Sequence, residues 1–201
     1  MTFGLEMGKM DFLLEIYKKG QTVFTFGEIA LLFPQISYPN LKRKISYYVK
    51  TGKILKLRKG IYGKENFHPF ELANKIYTPS YISFETVLRK EGIIFQENSA
   101  IFVASYLTRR IECAGVEIFY RKIKDEILTN PNGIEKKENY FIASKERAFL
   151  DAVFVYKNYY FDNLGKLDWR VVFELLKIYK SKILEKRVAQ YFKDYKEENV
   201  G

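Results

Sequence analysis

With 47% hydrophobic and 17% aromatic residues over 201 positions, the chain excludes a disordered protein and can bury one sizeable core or two small ones. Its net charge of +10 is unevenly placed: residues 1–66 hold twelve Lys/Arg against five Asp/Glu, while the remaining 22 and 19 nearly balance. A basic patch concentrates polyanions but does not by itself separate DNA from RNA or an acidic lipid surface, so shape has to decide.

Residues 1–9 lack the long apolar core of a signal peptide, and no run of about eighteen apolar residues follows, so a cytoplasmic protein with no membrane partner is expected. Met10, Leu13, Leu14 and Tyr17 recur at helical spacing, with Gly20 where a helix commonly stops. Thr25-Phe26-Gly27-Glu28 matches the capping box, in which hydroxyl and carboxylate satisfy free backbone amides at a helix start. Ile29, Leu32 and Phe33 then supply the stripe of a short second helix, ended by Pro34.

Pro39 suits the first turn of a third helix, because its missing N–H would have no partner there; the helix is expected to run to about Thr51, before Gly52. Leu41, Ile45, Tyr48 and Val49 fall on its core side. Asn40, Arg43, Tyr47 and Lys50 fall opposite, flanked by Lys42 and Lys44. Residues 54–58, the pair Lys59-Gly60 and then Ile61-Tyr62 read as a tight hairpin, the glycine supplying a positive φ.

Three helices and a hairpin over residues 1–66 predict a winged helix-turn-helix, in which the third helix enters the major groove and the wing touches adjacent backbone. Between Glu28 and Glu65 there is no acidic residue but nine cations: Lys42, Arg43, Lys44, Lys50, Lys53, Lys56, Arg58, Lys59 and Lys64. Lys50, Lys56, Arg58 and Lys59 are expected on phosphates, which fix position without reading sequence, and Lys53 extends that strip. Arg43 suits a bidentate contact to guanine and Asn40 one to adenine. Tyr47 suits a thymine methyl, a phosphate, or a structural role, and Ser37 and Tyr38 can offer hydroxyls to phosphate at the helix entrance.

Residues 67–201 read as a second, mixed α/β domain, giving an α+β chain overall. His68, the only histidine, precedes Pro69 at a linker-like junction without ligand partners. A helix over 69–77 turns Phe70, Ala73 and Ile76 or Tyr77 inward, and Ser83-Phe-Glu-Thr opens another that stops at Gly92. Strands follow at 100–106 and 116–122; Cys113, the lone cysteine, excludes an intrachain disulfide and a thiolate zinc site and reads as a small buried hydrophobe. Asn130-Pro131-Asn132-Gly133 marks a turn, the Lys/Glu-rich segment after it reads as an exposed loop, and a strand over 140–143 leads into Ser144, which caps a helix. Two helices finish the chain, at 168–179 and 182–195, with stripes of Val172, Leu175, Leu176 and Tyr179, then Val188, Tyr191 and Phe192.

Three signatures occur in order: Arg58-Lys59-Gly60-Ile61-Tyr62, the run Tyr81-Ile-Ser-Phe-Glu-Thr-Val-Leu88, and Ile142-Ala-Ser-Lys-Glu-Arg147-Ala-Phe-Leu-Asp151. Over roughly residues 20–155 the chain thereby resembles the AbiEi-type antitoxins of abortive-infection systems. The resemblance implies a winged-helix repressor of its own promoter, acting at inverted repeats of double-stranded DNA. It also implies a second domain that counters a nucleotidyltransferase-like toxin, either directly or functionally.

One histidine, one cysteine, no glycine-rich phosphate loop and no metal-ligand cluster leave no expected catalytic residue, metal site or cofactor. Glu146 reads as a helix-start carboxylate and Asp151 as an acid bracing Arg147 one turn away. Two other readings stay open: a stand-alone winged-helix regulator, and a module whose basic strip meets RNA or protein, with Tyr47, Tyr48 and Tyr62 available for stacking on unpaired bases.

Overall fold

A computed structural model describes residues 12–199. Residues 1–9, read above for a signal peptide, and Met10 of the first predicted helix lie outside the described residues. The fold is mixed α+β, and the chain divides into two compact units, Met1–Glu71 and Leu72–Gly201.

The first unit runs α1 (Phe12–Lys18), β1 (Val23–Thr25), α2 (Phe26–Leu32), α3 (Tyr38–Lys50), β2 (Leu55–Arg58) and β3 (Ile61–Gly63), and the boundary falls inside α4 (Pro69–Ile76). Thr25 closes the capping box with Glu28, so α2 starts where its sequence places the start. Gly52, at a φ of +69°, carries the chain out of α3 as the left-handed residue that follows many helices. Phe12, Ile16, Phe24, Ile29, Phe33, Leu41, Ile45 and Ile54 form the core, with Phe12 stacked on Phe33 at 4.4 Å and on Tyr48 at 5.2 Å.

The hairpin supplies two strands of a three-stranded sheet. Its order is β1-β3-β2, with β3 in the centre and β1 antiparallel to it in the register Val23↔Gly63, Phe24↔Tyr62, Thr25↔Ile61. Three residues are too few for alternation to announce β1, and only its partner makes it a strand. The Phe26 amide donates to the Gly60 carbonyl at 2.8 Å, which ties the hairpin turn to the start of α2. Buried Glu71 accepts from the Thr22 and Val23 amides at 2.8 and 2.9 Å and so fixes the approach to β1.

The second unit contains β4 (Ser80–Ile82), α5 (Phe84–Lys90), β5 (Ile101–Ser105), β6 (Arg109–Cys113), β7 (Val116–Lys122), α6 (Asp125–Leu128), β8 (Ile134–Lys136), β9 (Phe141–Ala143), α7 (Lys145–Val155), α8 (Trp169–Leu176) and α9 (Lys182–Asn199). Its six-stranded sheet has the order β6-β7-β5-β4-β9-β8. The pairs β5/β7 and β4/β9 are parallel and the others antiparallel. Every residue of β5 is buried, as an inner strand covered on both faces requires.

Four readings change. The Lys/Glu-rich segment expected as a loop forms β8, whose charged side chains stay in water while its backbone pairs with β9. β4 and β6 were not legible either: the first is three residues long, and the second carries charge at Arg109, Arg110 and Glu112. In α4 it is Leu72 and Ala73 that are buried, while Phe70 and Ile76 are half-buried. Ser83 opens α5 without capping it and spends its hydroxyl elsewhere, whereas Ser144 does cap α7 by accepting from the Arg147 amide.

Candidate nucleic-acid interface

Core packing of Leu41 and Ile45 fixes the rotation of α3, and the remaining side follows from 3.6 residues per turn. Asn40, Lys42, Arg43, Tyr47 and Lys50 are all exposed; Tyr47 shows 61% of its surface. Arg43 donates to the Asn40 side-chain oxygen at 2.8 Å, so the two base-reading candidates sit side by side one turn apart. Ser46, three residues beyond Arg43 and exposed, shares this face; helical spacing alone could have included it.

The flanks differ from each other. Lys42 stands in water, while half-buried Lys44 places its ammonium 5.2 Å from the centre of the Phe12 ring, a cation–π contact that uses its stem as cover for the core. At the helix entrance Ser37 is the N-cap residue, yet its hydroxyl makes no cap hydrogen bond. Tyr38 is 65% exposed and leans on the Phe26 ring at 4.8 Å.

In the hairpin, Lys59 and Gly60 form the turn, with Gly60 at a φ of +77°. Lys53, Lys56 and Lys59 are exposed and Arg58 is half-buried. A register shift between Lys56 and Arg58 makes Leu57 the extra residue of a bulge, and Lys56 stands opposite Tyr62. Burial, then the neighbouring Tyr38, raises the Tyr62 hydroxyl above the ordinary tyrosine range, so it remains a neutral donor. Among the described residues no carboxylate forms an ion pair with Lys42, Arg43, Lys50, Lys53, Lys56 or Lys59.

Lys64 leaves this strip. It is buried, and its ammonium donates to the carbonyls of Tyr17 and Lys19, satisfying groups that the end of α1 leaves open. The rings of Tyr17 and Phe24 lie 5.6 and 5.9 Å away, and burial lowers its pKa against the pull of Glu71. Of the nine cations in the acid-free stretch, this one is structural.

The other two signature segments meet inside the second unit. Asp151 and Arg147 are wholly buried; Asp151 accepts from Tyr81 at 2.9 Å, Ser83 at 2.7 Å and Tyr179 at 2.6 Å, and lies 3.5 Å from the Arg147 Nε. Arg147 also donates to the carbonyls of Asn132 and Ile127 at 2.8 and 2.6 Å. Burial pushes the Asp151 carboxyl up, opposed by Arg147 and the three hydroxyl donors. Burial first, then Asp151, raises Tyr81 and Tyr179 well above the ordinary tyrosine value. Gly133, at a φ of +75°, packs so closely that an added Cβ would stand 3.0 Å from the Arg147 Cβ and 2.9 Å from a Leu175 methyl. A network without exposure offers no substrate access; it joins β4, α7 and the short 3-10 turn Lys177–Tyr179 that follows α8.

His68 accepts from the Phe70 amide at 3.1 Å at the start of α4, and Cys113 is buried at the end of β6. Among the described residues no group of three or more His, Cys, Asp or Glu could hold a metal ion, and no helix is long and apolar enough to cross a membrane. Compared with protein-family models the chain matches none, and no curated protein matches it.

Proposed function

We propose that the first unit is a winged helix-turn-helix that binds duplex DNA, with α3 as the recognition helix in the major groove and the β2–β3 hairpin as the wing against adjacent backbone. The observation that carries this reading is the exposed outer side of α3. Asn40, Arg43, Tyr47 and Lys50 lie there together, and the hairpin cations Lys53, Lys56 and Lys59 carry the same sign. Phosphate contacts by lysine position the protein, and the adjoining Arg43 and Asn40 supply bidentate donors and acceptors for base edges.

We further propose that the protein represses its own promoter at inverted repeats and serves as the antitoxin of a nucleotidyltransferase-like toxin. This step rests on the resemblance to AbiEi-type antitoxins. It draws support from the way Tyr81, Ser83, Arg147 and Asp151 join in one buried network, which makes two signatures far apart in the chain a single structural feature. The exposed rings of Tyr38 and Tyr47 favour one competitor, a reader of single-stranded RNA.

Binding of the full chain to the DNA upstream of its gene tests the reading. The expected log–log salt slope is roughly −4 to −5 per protomer for about five phosphate contacts, and excess single-stranded RNA should barely displace the duplex. Arg43→Ala should cost about 1–3 kcal/mol and relax base preference, whereas Lys59→Ala should weaken all sequences alike. A flat salt response, or displacement by RNA at equal concentration, contradicts the proposal. Toxin neutralisation is tested separately, by co-expression with the product of the adjacent gene.

A further inference from the structure

Strand β6 is an edge of the six-stranded sheet, and among the described residues only β7 pairs with it. Its register with β7 runs from Arg109↔Tyr120 to Cys113↔Val116, closed by a two-residue turn in which Ala114 and Gly115 have φ of +52° and +76°. In such a hairpin the residues flanking the turn exchange hydrogen bonds, and bonded pairs alternate from there. Cys113, Ile111 and Arg109 therefore bond β7, and the backbone groups of Arg110 and Glu112 point outward from the edge.

The side chains on that edge carry opposite charge two residues apart. Arg110 donates to Glu117 across the hairpin, and its guanidinium lies over the Phe119 ring at 5.0 Å. Glu112 stands directly opposite Glu117, a like-charge cross-strand pair that costs stability, and it has no cation of its own among the described ion pairs. The other edge, β8, is only three residues long.

We propose that a second copy of this chain pairs with β6, antiparallel and centred on Ile111, so that two six-stranded sheets join edge to edge. In this register Arg110 stands opposite Glu112 of the second copy, and Glu112 opposite its Arg110. The outward amides and carbonyls of those same residues form the two bonded pairs, giving four backbone hydrogen bonds. Centring on residue 110 or 112 instead would oppose arginine to arginine or glutamate to glutamate, so charge selects one register. Charges on an edge strand usually repel a second strand; here their order makes them attract. The pairing needs no DNA.

Sedimentation of the full chain over a wide concentration range tests this. The wild type should show a reversible monomer–dimer equilibrium, and Glu112→Arg should weaken it by roughly tenfold or more through two arginine–arginine oppositions. Arg110→Glu should do the same through two glutamate pairs, and the two variants, each weakened in pairing with itself, should form the tighter heterodimer when mixed. Amide exchange of the wild type guards against a variant that fails to fold. The Arg110 and Glu112 amides should be protected at high protein concentration and exchange faster on dilution. A wild type that stays monomeric at every concentration overturns the proposal. So does a dimer indifferent to Glu112→Arg, or exchange at these two amides that ignores concentration.

Discussion

Two helices place a polar side chain and an arginine about one turn apart and put the pair to opposite use. On α3, Asn40 and Arg43 bond each other at 2.8 Å in water; on α7, Arg147 and Asp151 meet where neither is exposed at all. An arginine in solvent keeps most of its donors available to a polyanion, whereas a buried one has to spend them within the protein, as Arg147 does on two carbonyls and a phenol beside the ion-paired Asp151 carboxylate. Charge on the surface of α3 therefore stays open to solvent, and charge inside the second unit is a joint.

Breaking that joint should give the largest effect. Asp151→Ala leaves Arg147 buried without its anion and strands three hydroxyl donors, and should cost about 3–5 kcal/mol in chemical denaturation. Binding of DNA by any protein that remains folded should keep the wild-type affinity, since none of these groups lies in the first unit. An Asp151→Ala protein as stable as the wild type would remove the network from the account of the second unit.

Alkaline pH should act next. Because Tyr81 and Tyr179 have folded values raised by burial and by Asp151, the folded state holds their protons more tightly than the unfolded chain does. Their contribution is whole below the free tyrosine value of about 10 and is lost as pH rises through it toward the higher folded value. Absorbance of tyrosinate and far-ultraviolet circular dichroism, followed in one titration, should show these tyrosines ionising only as the fold is lost. Full ionisation before any loss of dichroism would contradict the burial of their hydroxyls.

Smaller effects should separate two lysines that look alike in sequence. Lys64→Met removes the donor to the Tyr17 and Lys19 carbonyls and should lower stability by about 1 kcal/mol, with the salt slope of DNA binding unchanged. Lys59→Met should leave stability within about 0.5 kcal/mol and reduce the salt slope by about 1. Thermal melts and salt titrations of both variants check the pair, and a reversed outcome would exchange the roles given to them. Thr25→Ala, which opens the capping box, should cost about 1 kcal/mol of melting stability and leave base preference intact.

Much of the first unit was open to reading from local patterns. The capping box, the helix-stopping Gly52, the Lys59-Gly60 turn and the polar side of α3 each depend on residues within a few positions of one another. The second unit yielded its helices other than α6, and the strands β5 and β7, in the same way, 116–122 at its observed bounds. β1 and β4 escape such reading because three residues have no period, whereas β3 and β9, equally short, are marked by the adjoining turn and helix cap; β6 escapes it because charge hides an edge strand from any search for apolar alternation.

By itself the sequence determined the start of α2, the stop of α3 before Gly52, which side of α3 faces water, and the uneven placing of charge, because helical period and capping are set by neighbours in the chain. Tertiary structure alone decided that β3 lies between β1 and β2, that Lys64 is a structural cation, and that Ser83 and Asp151 meet. Those outcomes depend on which distant groups arrive at the same place. A lysine or a serine is the same residue in both settings until the fold supplies either water or a buried partner.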